Sequence, residues 1–139
     1  MNQDQQGEIN SQASLQEWVR QQFQRANAHL AENSILFETV VTEQSRYLAP
    51  IVAVWKIKDR NNDFYWVICG DVPADYVQAS SAKDAREVLR HFSMAWQLKA
   101  ENILANEKSD QVQKDYANLL ISKAEVLYET QSNDEWWNA

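Results

Sequence analysis

The chain has 139 residues, 45% of them apolar and 11% aromatic, with six tryptophans, a supply of core material that excludes a disordered protein. At this length a single domain buries roughly 68% of its unfolded surface. Residues 1–13 hold two acids and no base and residues 107–139 hold seven acids and three bases, so the ends carry six of the seven excess negative charges and no basic face is offered to nucleic acid.

The first dozen residues, MNQDQQGEINSQ, are polar, and 1–13 is expected to be a mobile tail. They hold neither a basic n-region nor an apolar h-region, so no ordinary signal peptide is expected. Ser14 and Glu17 have capping-box spacing, and Leu15, Val19, Phe23, Ala26 and Leu30 recur every three or four residues, which predicts an amphipathic helix over about 15–33. After Asn33 and Ser34 the β-branched segment 35–43 predicts a strand. A polar loop through Arg46 and Tyr47 leads to Pro50.

The segment 51–58 alternates, with Ile51, Ala53, Trp55 and Ile57 on one face and Val52, Val54, Lys56 and Lys58 on the other. The polar cluster 59–63 reads as a turn, and 64–70 returns as a third strand that is apolar on both faces. The loop GDVPADY (70–76) follows, rich in turn formers. Ser81 opens a second helix over about 82–105 with Ala85, Val88, Leu89, Phe92, Trp96 and Ile103 as its buried stripe. Ser109 and Asp110 suit the cap of a third helix over about 110–130, whose apolar positions are Val112, Tyr116, Leu119, Leu120 and Leu127.

The order α-β-β-β-α-α predicts an α+β fold, a short antiparallel three-stranded meander packed against helices. It forms one domain over 14–131, followed by a C-terminal tail over 132–139. Trp55, Trp66, Phe92 and Trp96 are expected to share one core. Tyr65 and Val67, taken to lie beside Val52 and Val54, form an apolar face that predicts self-association as a homodimer.

Chemical motifs are sparse. With only Gly7 and Gly70 in the chain, no phosphate-cradling glycine loop can be built. His29 and His91 fall on separate predicted helices and form no ligand pair, so neither a metal nor any other cofactor is expected. The single cysteine, Cys69, excludes an intramolecular disulfide and a cysteine-based zinc site. Cys69, His91 and Asp71 or Asp75 could supply a thiolate, a base and an orienting acid, but a cysteine closing an apolar strand reads better as a small core hydrophobe.

The blocks LAPIVAVWKI (48–57), WVICGDVPADY (66–76) and AREVLRHFSMAW (85–96) resemble a family of small bacterial proteins catalogued as a domain of unknown function. Pro50, Trp55, Gly70, Asp71, Pro73, Asp75, Tyr76, Arg86, Phe92 and Trp96 stand in the matching places, and the resemblance covers about residues 15–105. It implies a chain of similar size and brings no activity, cofactor or catalytic residue.

Two functions compete. The favoured one is a non-catalytic protein-interaction or adaptor module of the cytoplasm, with a protein partner and no nucleic acid or membrane, since no apolar run reaches the about 18 residues that a membrane span needs. The alternative is a small-ligand binder or enzyme using a cleft at the 70–76 loop, with Arg46, Tyr47, Asp71, Asp75, Tyr76 and Arg86 as its polar groups.

Overall fold

A computed structural model describes residues 3–138, with side chains from Gln12 onward. It is α+β, with three α-helices and a five-stranded antiparallel sheet. The described residues divide into two units, one ending at Gln78 and the other starting at Ala79.

In the first unit α1 spans Gln3–Glu32. The helix therefore begins inside the expected tail, because residues 3–13 hold no proline and just over half of them are good helix formers. Ser14 and Glu17 lie within it and do not cap it. The Glu17 carboxylate instead takes Arg20 at 2.8 Å and Gln21 at 3.3 Å on the exposed surface. Expectations for residues 1, 2 and 139 lie outside the described residues.

The end of α1 is defined by its backbone. Ser34 takes φ 64°, its N–H bonds to Ala31 O and that of Ile35 bonds to Leu30 O, the paired closure that satisfies terminal carbonyls. Leu30 and Ile35, both buried, carry this turn into the core.

The strands are β1 (Phe37–Val40), β2 (Arg46–Leu48), β3 (Val52–Asp59), β4 (Phe64–Gly70) and β5 (Asp75–Gln78). The sheet runs β1-β3-β4-β5, with β2 also on the β1 side of β3. Five strands replace the expected three. The segment 35–43 ends early because Ser45 interrupts the edge: its hydroxyl donates to Val41 O at 2.9 Å and accepts from Lys56 N at 3.0 Å. The chain then resumes pairing as β2, where a loop was expected. The end of the GDVPADY loop is β5, paired with β4 from Asp75↔Ile68 to Gln78↔Tyr65.

The β3–β4 hairpin closes through Asp59. Its buried carboxylate accepts from Asn61 N at 2.9 Å and Asp63 N at 2.8 Å as in an Asx turn, while Asn62 takes φ 67°, a left-handed conformation that asparagine tolerates. The hairpin register pairs Trp55 with Val67 and Lys56 with Trp66. Residues directly opposite share a face, so Ala53, Trp55, Ile57, Tyr65, Val67 and Cys69 face α1, and Val52, Val54, Trp66 and Ile68 face the other way.

Two expectations fall with this register. Trp55 and Trp66 lie on opposite faces and cannot share one core. Tyr65 and Val67 lie opposite Ile57 and Trp55 rather than beside Val52 and Val54, so these four side chains do not form the single apolar face on which self-association was expected. The α1 side of the sheet is a core of its own, closed by Phe23, whose ring meets Phe37 at 5.2 Å and Trp55 at 5.4 Å.

The second unit is a helical hairpin. Helix α2 spans Ala85–Ala105, with the Asp84 carboxylate accepting from Glu87 N. Helix α3 spans Gln111–Ser132 and opens on a capping box of Asp110 and Gln113, which satisfies orphan donors at both residues. The Ser93 hydroxyl bonds to Ala124 O at 3.0 Å across the pair. The buried stripe of α2 is close to the expected one, with Ala100 joining it and Ile103 at its margin. That of α3 differs: Ala117, Leu120, Ala124 and Leu127 are buried, while Val112, Tyr116 and Leu119 are exposed.

Candidate functional site

The polar groups expected around one cleft are dispersed. Arg46 and Tyr47 lie on β2 and Asp75 and Tyr76 on β5, at opposite edges of the sheet with β3 and β4 between. Within each pair the faces alternate. Tyr47 pairs with Ala53 and Tyr76 with Val67, both on the α1 side, while Arg46 pairs with Val54 and Asp75 with Ile68, on the other. Tyr47 packs on Trp55 with centroids 4.7 Å apart, and Tyr76 meets His29 at 5.7 Å and Tyr65 at 6.0 Å. Burial raises the Tyr47 phenol above its ordinary pKa.

The GDVPADY loop is held by backbone contacts. Gly70 takes φ 130°, a conformation that side chains oppose, and the Asp71 N–H bonds to Ile51 O at 2.9 Å. From α1 the Arg25 guanidinium donates to Gly70 O at 2.5 Å and to Val72 O at 3.5 Å. One Asp75 carboxylate oxygen accepts from Tyr76 N at 2.8 Å.

Arg86 belongs to the second unit and is committed there. It donates to Gln131 O at 2.7 Å and to Asp134 at 2.7 Å, and its guanidinium carbon lies 5.8 Å from the Trp137 ring centroid. A cavity of about 270 Å³ beside it is lined by Lys83, Asp84, Arg86, Glu87, Arg90 and Gln131. Capping uses both of its acids: Asp84 accepts from Glu87 N and Glu87 accepts from Lys83 N. Among the described residues no three His, Cys, Asp or Glu side chains gather as a metal site.

Cys69 is buried under α1, with its sulfur 3.4 Å from Gln22 O. Burial pushes the thiol up to about 11, and the Trp55 indole and the Arg25 charge oppose this too weakly to matter. A protonated buried thiol is a poor nucleophile. The folded chain keeps this proton where the unfolded chain releases it, so the thiol's contribution to stability is complete below the ordinary value of 9.0 and is lost as pH rises toward about 11. Denaturant melts near neutral pH and near pH 10.5 should show wild type losing up to ~2 kcal/mol more than Cys69→Ala. Equal losses in the two proteins would contradict a buried, protonated thiol.

The helical hairpin carries a feature that the periodicity did not reveal. On α2, Met94 and Leu98 are 66% and 60% exposed, and on α3 Val112 is 77% exposed with Tyr116 and Leu119 also open. The Lys99 ammonium lies 5.4 Å from the Tyr116 ring centroid and joins the two helices on this side. Beside it runs a groove of about 490 Å³ whose lining includes Ala95, Leu98, Ile103 and Gln113. Contiguous apolar side chains mark interaction surfaces, and Met94 with Leu98 on α2, and Val112, Tyr116 and Leu119 on α3, recur at three- or four-residue spacing on their own helices. The signal in the sequence was the alanine pattern: Ala117 and Ala124 share the buried seam with Leu120 and Leu127, which leaves Val112, Tyr116 and Leu119 facing outward.

The helix caps, the hairpin and the glycine turn account for the blocks that stand out along the chain, and a family match spans all of them. The chain belongs to the DUF4826 family. The family is described as a domain of unknown function, and it matches residues 12–137. The DUF4826 match thus reaches beyond the blocks at 48–96 to take in α3 and the two tryptophans that follow it. No curated protein and no solved structure matches this DUF4826 chain.

Proposed function

We propose that the protein is a non-catalytic protein-interaction module of the cytoplasm that binds its partner through the exposed side of the α2–α3 hairpin. The observation that carries this reading is the exposure of Met94, Leu98, Val112, Tyr116 and Leu119 in a hairpin whose core is already filled by other residues. Apolar side chains left open to water are not satisfied by the hairpin's own packing, and their transfer from water drives association. The ligand-cleft alternative gains less support, because its polar groups stand at opposite sheet edges. A cytoplasmic setting accords with a lone buried thiol and with the absence, among the described residues, of a helix long and apolar enough to cross a membrane.

The test is site-specific photo-crosslinking in cells, with the crosslinking residue at Leu98 and, as a control, at exposed Glu125 on α3. The expected result is a discrete protein adduct at position 98 that position 125 does not give. Equal or no adducts at the two positions would remove this surface as the site of interaction.

A further inference from the structure

Along α2, Glu87, His91, Met94, Leu98, Glu101 and Ala105 recur at alternating steps of four and three residues. That spacing keeps a stripe in line along a helix and is the one that pairs with a second helix. Met94 and Leu98 form its exposed centre. Arg90 flanks the stripe near its start and Glu101 lies on it near its end, and both are exposed. Among the described residues neither has an ion-pair partner within the chain.

We propose that this stripe docks on the same stripe of a second copy of the chain, the two α2 helices antiparallel about a two-fold axis near Trp96. Met94 of each copy then meets Leu98 of the other, and Arg90 of each reaches Glu101 of the other. This rests on the hairpin being an interaction surface and adds the identity of the partner.

Charge complementarity selects the occupant. Setting Met94 level with Leu98 places His91 level with Glu101 and Arg90 one residue away, about 1.5 Å along the axis, well within an arginine's reach. By symmetry the ion pair forms twice, as an isologous interface requires. Glu87 falls level with Ala105, so no like charges are forced together. A parallel arrangement would instead set Arg90 against Arg90 and Glu101 against Glu101. A chain of net charge −7 repels its own copies at long range, and the opposite charges of Arg90 and Glu101 at the ends of the apolar centre, which have no ion-pair partner among the described residues, supply the local attraction that association needs.

The experiment is light scattering on the purified full chain at tens of micromolar, with variants on this face. Wild type should give twice the 16.2 kDa of one chain, and Leu98→Glu should give a single chain with an unchanged far-ultraviolet circular dichroism spectrum. Arg90→Glu and Glu101→Arg should each weaken self-association at least ~10-fold. Mixing those two variants should restore a dimer, because each then presents what the other lacks. A wild-type monomer, or a dimer indifferent to Leu98→Glu and to both charge variants, would overturn the proposal. A monomeric wild type that still gives a heterologous adduct at position 98 in cells leaves the interaction module standing and removes only the second copy as its partner.

Discussion

Replacing Gly70 with alanine should cost the protein a large part of its stability. An added Cβ would lie 2.6 Å from Ile51 O and 2.8 Å from Val52 Cα, closer than nonbonded atoms tolerate. Both neighbours are backbone at the start of β3, and neither can swing away. Val52 is paired with Gly70 in the ladder, and Ile51 O already accepts the Asp71 N–H. The backbone angle, φ 130°, adds strain of about 1–3 kcal/mol for a residue with a side chain. Overpacking adds about as much, so a combined loss of roughly 2–5 kcal/mol is expected. Chemical denaturation of Gly70→Ala beside wild type reads it. A midpoint within error of wild type would mean that β3 moves aside at little cost, and that the loop is softer than its contacts imply.

The second large effect is expected from Trp96→Ala. Trp96 is 2% exposed on the buried stripe of α2, with Phe92 and Ala100 on the same stripe, and its ring lies 5.8 Å from that of Phe92. Deleting a large buried aromatic removes its transfer energy and leaves a cavity, together about 3–5 kcal/mol. The loss should appear as a shifted denaturant midpoint with an unchanged slope. Gln97→Ala, the next residue along and exposed, serves as the internal comparison and should shift the midpoint by less than about 0.5 kcal/mol. If Trp96→Ala loses under about 1 kcal/mol, the hairpin core does not depend on that ring.

Much of the α+β order was legible because it rests on local signals. The 3.6-residue stripe of α2, the alternation in 51–58 and the turn chemistry of 59–63 act within a few residues of chain, and each produced the element expected. The caps behaved differently at the two kinds of site. Asp110 caps α3 as expected, whereas Ser14 with Glu17 is overridden, because residues 3–13 hold no proline to stop a helix from continuing through them.

Tertiary structure decided what pairing and packing decide. Both β2 and β5 are short edge strands with no alternation to betray them. They exist because β3 and β4 offer free backbone donors and acceptors that Arg46–Leu48 and Asp75–Gln78 can satisfy. Register set which faces the aromatics share, and since a strand's side chains alternate with a period of two, it placed Trp55 and Trp66 on opposite sides of one sheet and divided the expected polar cluster between its edges. On α3 the apolar residues outnumber the places in the core. Periodicity alone favours Val112, Tyr116 and Leu119 along with Leu120 and Leu127, but Ala117 and Ala124 join the two buried leucines in the seam while the other three turn outward. The choice between large residues inside and small ones inside depends on how closely two helices pack, and that is a property of the pair that neither helix's sequence holds by itself.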